Sequence, residues 1–202
     1  QAPRPGGELA ARADGPVLEL AAGTGRLAVP LAEAGHRVVA VDLDPAMLRR
    51  ARARLDAASP AVRRRVELVE ADARDVRLAT AGTFGLAFVG LNSLVQVGDR
   101  ADQLAVVRTL AAHLAVDGVA GIDVWLPDAE DLARFDGRIT LEYPRLDPGS
   151  GRLVTKAASA IHDATRGTVR LSVIYEEGRQ GEPAVRWFRE DLLRLVGHDE
   201  PE

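Results

Sequence analysis

The sequence predicts an α/β protein: a doubly wound, mainly parallel sheet followed by an appended antiparallel β-meander. Three observations support this fold class. Short apolar runs alternate with longer helical patterns over the first two thirds of the chain, and a glycine-rich turn follows the first run. After Pro127, apolar residues alternate with polar ones instead. The 202 residues, 47% of them hydrophobic, suffice for one domain with an elaboration.

Five apolar runs predict the strands of the parallel sheet. Nearly continuous apolar character is typical of parallel strands, because helices cover both faces of such a sheet. The predicted strands are Val17–Leu20, Val38–Val41, Val66–Val69, Phe84–Val89 and Val119–Leu126.

Helical patterns separate most of these runs. The first covers Arg26 to Ala34. The second begins with Asp44 as N-cap and Pro45 at the first helical position, which are the preferred residues there. A third helix, from about Ala101, is predicted to end before Asp117-Gly118. Its expected buried residues are Leu104, Val107, Leu110, Ala111 and Leu114.

The second part of the chain reads as a meander. Residues Asp163–Gly167 predict the loop of a hairpin that joins Leu153–His162 to Thr168–Glu176. We expect residues 1–128 to form the core and residues 129–202 to form the meander or lid of the same domain.

Composition excludes several classes of protein. There is no cysteine, and hence no disulfide framework or thiolate metal site, and we expect no metal. No apolar stretch reaches the ~18 residues of a membrane helix. The net charge of -4 gives no general attraction to nucleic acid or anionic membranes. We therefore expect a cytoplasmic protein with neither nucleic acid nor membrane as partner.

The glycine loop Leu20–Gly25 is weak evidence for a ligand when taken alone. Gly23-x-Gly25-x-x-Ala28 satisfies the relaxed dinucleotide fingerprint, and Asp42 lies at about the distance expected for a ribose-binding acid. Glycine lets the backbone pass close to a flat, extended ligand. Both NAD(P) and S-adenosylmethionine fit this pattern.

Three further features separate the two ligands. Glu19 stands four residues before Gly23, where a carboxylate suits a cationic ligand better than an anionic pyrophosphate. Leu43 and Met47 could enclose an adenine, and Asp72 could accept a hydrogen bond from its amino group. A short-chain dehydrogenase would also need a Tyr-x-x-x-Lys pair, which the single lysine of the chain does not complete.

With these features the sequence resembles the class I S-adenosylmethionine-dependent methyltransferases, of the type that act on small molecules. The resemblance implies a Rossmann-like core. Its matching blocks are Val17–Gly25, Val38–Met47, Glu70–Asp75, Phe84–Ser93 and His113–Trp125.

The resemblance also implies a set of ligand-binding residues. It places the methionine portion at Glu19, Ala21, Gly23, Thr24, Gly25 and Arg26. It places the ribose at Asp42, the adenine at Leu43, Met47, Asp72 and Ala73, and the sulfonium near Gly90, Leu91 and Asn92. At Ala21 the family usually has glycine.

The catalytic residues stay unassigned, since methyl transfer needs mainly alignment and exclusion of water. Asn92 and His162 are the candidates, His162 because it lies in the meander that we expect to cover the acceptor. No Asn-Pro-Pro-Tyr motif follows the fourth strand, which argues against methylation of nucleobase amino groups or of protein glutamine.

We expect transfer of a methyl group to a nitrogen or oxygen of a small molecule, with S-adenosylhomocysteine as product. A methyltransferase acting on RNA or protein and a non-catalytic S-adenosylmethionine-binding module are the alternatives. The sequence leaves open whether the chain forms a homodimer. Members of such families end in a further helix and strand pair, so we expect the C-terminus to be incomplete here.

Overall fold

The computed structural model describes residues 14–179 and 181–197, and the chain divides into two compact units between Val124 and Trp125. The first unit contains a five-stranded parallel sheet and the second a four-stranded antiparallel sheet. The predicted fold class, a Rossmann-like α/β layer with an antiparallel meander, is confirmed. The assignment of both parts to one domain stays a prediction.

The parallel sheet has the strand order β3-β2-β1-β4-β5. Its strands are β1 (Val17–Leu20), β2 (Val38–Asp42), β3 (Val66–Glu70), β4 (Phe84–Val89) and β5 (Leu114–Ile122). The chain starts in the middle of the sheet, moves to one edge and then crosses to the other side of β1. This reversal next to β1 is the switch point at which α/β sheets of this kind bind their ligands.

Helices connect the strands of this sheet. They are α1 (Ala28–Glu33), α2 (Pro45–Asp56), α3 (Pro60–Arg63) and α4 (Arg100–His113), with a 3-10 turn at Ser93–Gln96. Asp44 caps α2 as predicted, because its carboxylate accepts from the backbone N–H of Ala46 at 2.7 Å. No helix within the described ranges is long and apolar enough to cross a bilayer.

The core lies around β1 and β4, whose residues are all buried. Side chains of α1, α2 and α3 pack together with the sheet in one hydrophobic cluster. Members of that cluster include Val17, Ala28, Leu31, Val38, Leu55, Val62, Val66, Leu86 and Phe88.

The predicted buried face of α4 is wrong at Leu104 and Ala111. Leu104 is 40% exposed and Ala111 is exposed, whereas Gln103 and His113 are buried. The polar residues face inward because the sheet-side loops offer them partners: the side-chain amide of Gln103 donates to the carbonyl of Leu94 at 3.1 Å. Only Leu110 of the predicted set is fully buried.

The predicted start and end of β5 are also wrong. The strand begins directly after α4, so Gly118 lies inside it and does not end the helix. A Cβ at Gly118 would come within 2.6 Å of the carbonyl oxygen of Phe84, so glycine permits this close approach. The pairing of β5 with β4 shifts register at this point, between Phe84 and Leu86.

The second unit has the strand order β6-β7-β8-β9. These strands are β6 (Thr140–Leu146), β7 (Leu153–Asp163), β8 (Thr168–Gly178) and β9 (Val185–Arg194). The predicted hairpin between β7 and β8 is confirmed, and the carboxylate of Asp163 accepts from the backbone of Thr165 and Arg166 in its loop. A short helix, α5 (Ala129–Ala133), precedes the sheet.

The corrected face of α4 gives a stability prediction. Leu110→Ala is expected to lower the free energy of unfolding by about 2–5 kcal/mol, because the truncation leaves a cavity beside a buried helix face. Leu104→Ala, on the same helix, is the matched control and should lower it by less than about 1 kcal/mol. Urea unfolding measures both. Equal losses, or a larger loss for Leu104, would contradict the assigned face.

Candidate functional site

The residues of the candidate site follow the carboxyl ends of neighbouring strands. Leu20 of β1 pairs with Val41 of β2 on one side and with Val89 of β4 on the other. The chain therefore leaves all three strands at the same edge of the sheet. The glycine loop, Asp42 and Gly90 meet there.

The glycine loop turns by means of left-handed backbone conformations. Ala21, Gly23 and Gly25 have φ values of 55°, 56° and 68°. A Cβ on Gly23 would meet nothing within 4 Å, whereas one on Gly25 would lie 3.4 Å from the Cβ of Ala51 in α2. The loop thus presents its backbone openly at Gly23 and packs on the second helix at Gly25.

Asp42 fastens this loop to the end of β2. Its Oδ2 accepts from the backbone N–H of Gly23 at 2.6 Å, and its Oδ1 accepts from the backbone N–H of Asp44 at 2.8 Å. One carboxylate therefore joins the glycine loop to the N-terminus of α2. An ionised carboxylate has about four acceptor positions, so two remain for a ligand.

Glu19 is a carboxyl group inside the central strand. The residue is only 3% exposed, and its Oε2 has no hydrogen-bond partner among the described residues. The pKa of Glu19 is raised from 4.5 to about 8, mainly by burial; a hydrogen bond from the backbone of Ala28 opposes the rise, the charge of Asp42 adds to it, and the charge of Arg26 opposes it. Its carboxyl group is therefore protonated at neutral pH unless a cation lies beside it.

The predicted adenine residues lie along the next strand ends. Leu43 is 62% exposed, and Met47 is partly buried on the first turn of α2. Asp72 and Ala73 follow β3, and both are partly buried. The carboxylate of Asp72 forms an ion pair with Arg74 at 2.6 Å, which the sequence did not indicate.

A strained turn follows β4. Leu91 and Asn92 both have positive φ values, 59° and 62°, which cost L-residues conformational energy. Asp123, just after β5, holds this turn: its Oδ2 accepts from the backbone N–H of Leu91 at 3.0 Å, and its carbonyl accepts from that of Asn92 at 3.1 Å. Sequence reasoning missed Asp123, although an acid directly after the β5 strand was a usable signal.

The remaining predicted residues have simpler positions. Thr24 is partly buried in the glycine loop, Arg26 is exposed, and Gly90 is buried at the end of β4. His162 belongs to the second unit, where its backbone N–H donates to the carbonyl of Phe135 at 3.1 Å. Across residues 14–179 and 181–197, no group of three or more His, Cys, Asp or Glu could hold a metal ion.

Comparison with known proteins identifies the family. A family model described as a methyltransferase domain matches residues 17–118, about half of the chain. The match begins at β1 and takes in the whole glycine loop, β2, β3, β4 and α4. The chain belongs to this methyltransferase family, and its fold is that of the class I S-adenosylmethionine-dependent enzymes.

A relative of known activity supports this assignment. The chain is 36% identical to a cypemycin N-terminal methyltransferase of Streptomyces sp over 145 residues, 71% of this chain and 54% of that protein. It therefore spans about half the length of this curated relative.

Solved structures show the same fold. The sugar N-methyltransferase KedS8 of Streptoalloteichus sp ATCC 53650 aligns with a TM-score of 0.72 and 26% identity, over 93% of this chain and 68% of that one. CalS10, an amino pentose methyltransferase of Micromonospora echinaspora solved with S-adenosylmethionine bound, aligns with a TM-score of 0.72 and 23% identity, over 95% and 76%. At 23% identity, the similarity to CalS10 shows a shared fold and nothing more.

Glu19 makes stability depend on pH in a defined direction. Because its pKa is raised in the folded state, the unfolded chain loses this proton first, and stability falls as the pH rises from about 4.5 to about 8. Glu19→Gln mimics the protonated form. It is expected to be more stable than the wild type by about 1–3 kcal/mol at pH 8, and equally stable at pH 4.

Urea unfolding at a series of pH values measures this difference. Glu67→Gln is the matched control, because Glu67 is an exposed carboxylate near the amino end of β3. It should leave the pH dependence unchanged. A Glu19→Gln variant with the slope of the wild type would show that Glu19 is already ionised in the folded protein.

Proposed function

We propose that this chain binds S-adenosylmethionine at the carboxyl edge of the parallel sheet and transfers its methyl group to a nitrogen or oxygen of a small molecule. The observation that carries the proposal is the buried carboxyl group of Glu19, whose Oε2 has no partner within the described residues. Such a group needs a cation or a proton.

A cationic ligand fits Glu19, and a dinucleotide does not. The methionine portion of S-adenosylmethionine carries an ammonium group next to a positive sulfur. A carboxylate beside it would be compensated, whereas the pyrophosphate of a dinucleotide would be repelled. The open backbone at Gly23 gives room for the extended part of the ligand close to Glu19.

Asp42 fits the ribose. Two of its acceptor positions hold Gly23 and Asp44, and the two that remain match the two hydroxyl groups of an unmodified ribose. The bonds to the backbone fix the carboxylate before a ligand arrives, which lowers the entropic cost of binding. Leu43, exposed next to Asp42, offers an apolar surface for the adenine, and Met47 offers another.

The chemistry asks little of the protein beyond alignment. When bound, the ligand would supply a methyl carbon activated by positive sulfur, and the site would align a lone pair of the acceptor with this carbon. The sulfur would keep the electron pair of the bond that breaks. Two hydrogen bonds from Leu91 and Asn92 to Asp123 hold the turn at Gly90–Asn92, so this turn can line the part of the site near the methyl group. Asn92 and His162 stay the candidate catalytic residues.

An amine is the favoured acceptor. The cypemycin relative is named an N-terminal methyltransferase, and KedS8 is named a sugar N-methyltransferase. We infer that the acceptor is an amino group of a natural product, either a sugar amine or the terminal amine of a peptide.

Isothermal titration calorimetry with S-adenosylhomocysteine tests the proposal. Asp42→Ala is expected to weaken binding by about 1.5–3 kcal/mol, because the ribose hydroxyls lose their acceptor. Glu67→Ala is the control, since this exposed carboxylate lies near the opposite end of the strands. Absence of binding by the wild type would refute the proposed function, and an unchanged dissociation constant for Asp42→Ala would refute the ribose assignment.

A further inference from the structure

Arg74 connects the loop after β3 to the first turn of α4. Its Nε lies 3.0 Å from both carboxylate oxygens of Asp72, and its Nη2 lies 2.6 Å from Oδ2. On the other side its Nη1 donates to Oδ1 of Asp102 at 2.9 Å. The guanidinium group therefore bridges two carboxylates that are 30 residues apart in the sequence.

Asp102 is a fixed support for this bridge. It belongs to a capping box at the start of α4: its backbone N–H donates to Oδ1 of Asp99 at 3.0 Å, and its side chain accepts from the backbone of Asp99 at 3.3 Å. An arginine held by such a group loses less of its freedom when it binds a second carboxylate.

Two further bonds tie the same loop to α4. The hydroxyl of Thr109 donates to the carbonyl of Arg74 at 2.9 Å. The backbone N–H of Leu78 donates to Nε2 of His113 at 3.2 Å, while Nδ1 of His113 lies 2.7 Å from the carbonyl of Thr109. The loop that carries Asp72 is thus fastened along the length of the helix, and Arg74 sets the orientation of the carboxylate itself.

The hydrogen bonds of Asp72 leave room for one more donor. Three N–H groups of Arg74 point at its carboxylate: the backbone N–H, at 2.9 Å from Oδ1, together with Nε and Nη2. Because Nε is shared between the two oxygens, three donors serve about four acceptor positions, and the carboxylate can accept one more donor when Nε binds a single oxygen. One hydrogen of an exocyclic amino group can make this additional hydrogen bond to Asp72.

The charge state of Asp72 decides which purine edge it can bind. The hydrogen bonds from Arg74 lower the pKa of Asp72, so its carboxylate stays ionised and can only accept. A 6-amino group offers a donor to it. A 6-oxo group offers an acceptor, which an ionised carboxylate repels.

We propose that Arg74 is a positioning residue for adenine recognition, which holds the carboxylate of Asp72 as an oriented acceptor and so selects a 6-amino over a 6-oxo purine. This inference rests on the proposed function. It assigns the selection to a residue whose own side chain need not touch the ligand.

Calorimetry with S-adenosylhomocysteine and with S-inosylhomocysteine, its 6-oxo analogue, separates positioning from a general structural role. The wild type should bind the adenosine compound more tightly by on the order of a hundredfold or more. Arg74→Ala should reduce this ratio about tenfold, chiefly by weakening the adenosine compound. Asp102→Asn, which keeps the cap acceptor, should reduce it by a smaller factor.

Arg77→Ala is the matched control, because Arg77 is an exposed arginine of the same loop. It should leave the ratio unchanged, and urea unfolding should show all three variants folded. Equal weakening of both compounds by Arg74→Ala would overturn the inference and show a structural role only. Tighter binding of the adenosine compound would overturn it too, since Arg74 would then compete with the adenine. Failure of the wild type to bind either compound would refute the proposed function and the inference with it.

Discussion

A carboxyl group in the middle of a buried strand has to be neutral or to face a cation, and Glu19 is in this position. It lies in β1, the strand from which the sheet extends in both directions. Above pH 4.5 the unfolded chain loses this proton before the folded protein does, so the free energy of unfolding falls. The fold alone therefore gives no reason for a glutamate at this position. A cationic ligand at the glycine loop does give one, because it would stabilise the ionised form of this buried carboxyl group.

The other acidic residues of the site organise backbone around this point. Asp42 binds the N–H groups of Gly23 and Asp44, and Asp123 binds that of Leu91. Each ends or follows a parallel strand, so the sheet fixes both carboxylates, and the loops take their shape from them. Asp72 is arranged differently, because an arginine and not the backbone supplies most of its hydrogen bonds. These contacts preorganise the edge that a class I methyltransferase uses for its ligand.

Local patterns were sufficient for much of the fold. Apolar runs located β1 to β4, the Asp44-Pro45 pair located the start of α2, and alternation located the β7–β8 hairpin. The face of α4 was misplaced because Gln103 and His113 are buried by partners that lie in other loops. The hydrogen bonds that join Arg74 to Asp102 and Asp123 to Leu91 span 28 and 32 residues, so the sequence did not show these two pairings. Ala21 was noted as a departure from glycine, and its positive φ shows why glycine is usual there.

Proton release on ligand binding tests the role of Glu19 most directly. Calorimetry of S-adenosylhomocysteine binding at pH 7, in two buffers of different ionisation enthalpy, gives the number of protons released. Because the carboxyl group of Glu19 is protonated in the free protein and would be ionised beside an ammonium group, the wild type should release about one proton per ligand, and Glu19→Gln should release none. Binding by the wild type with no dependence on buffer would contradict this account, since Glu19 would then not face the charge of the ligand.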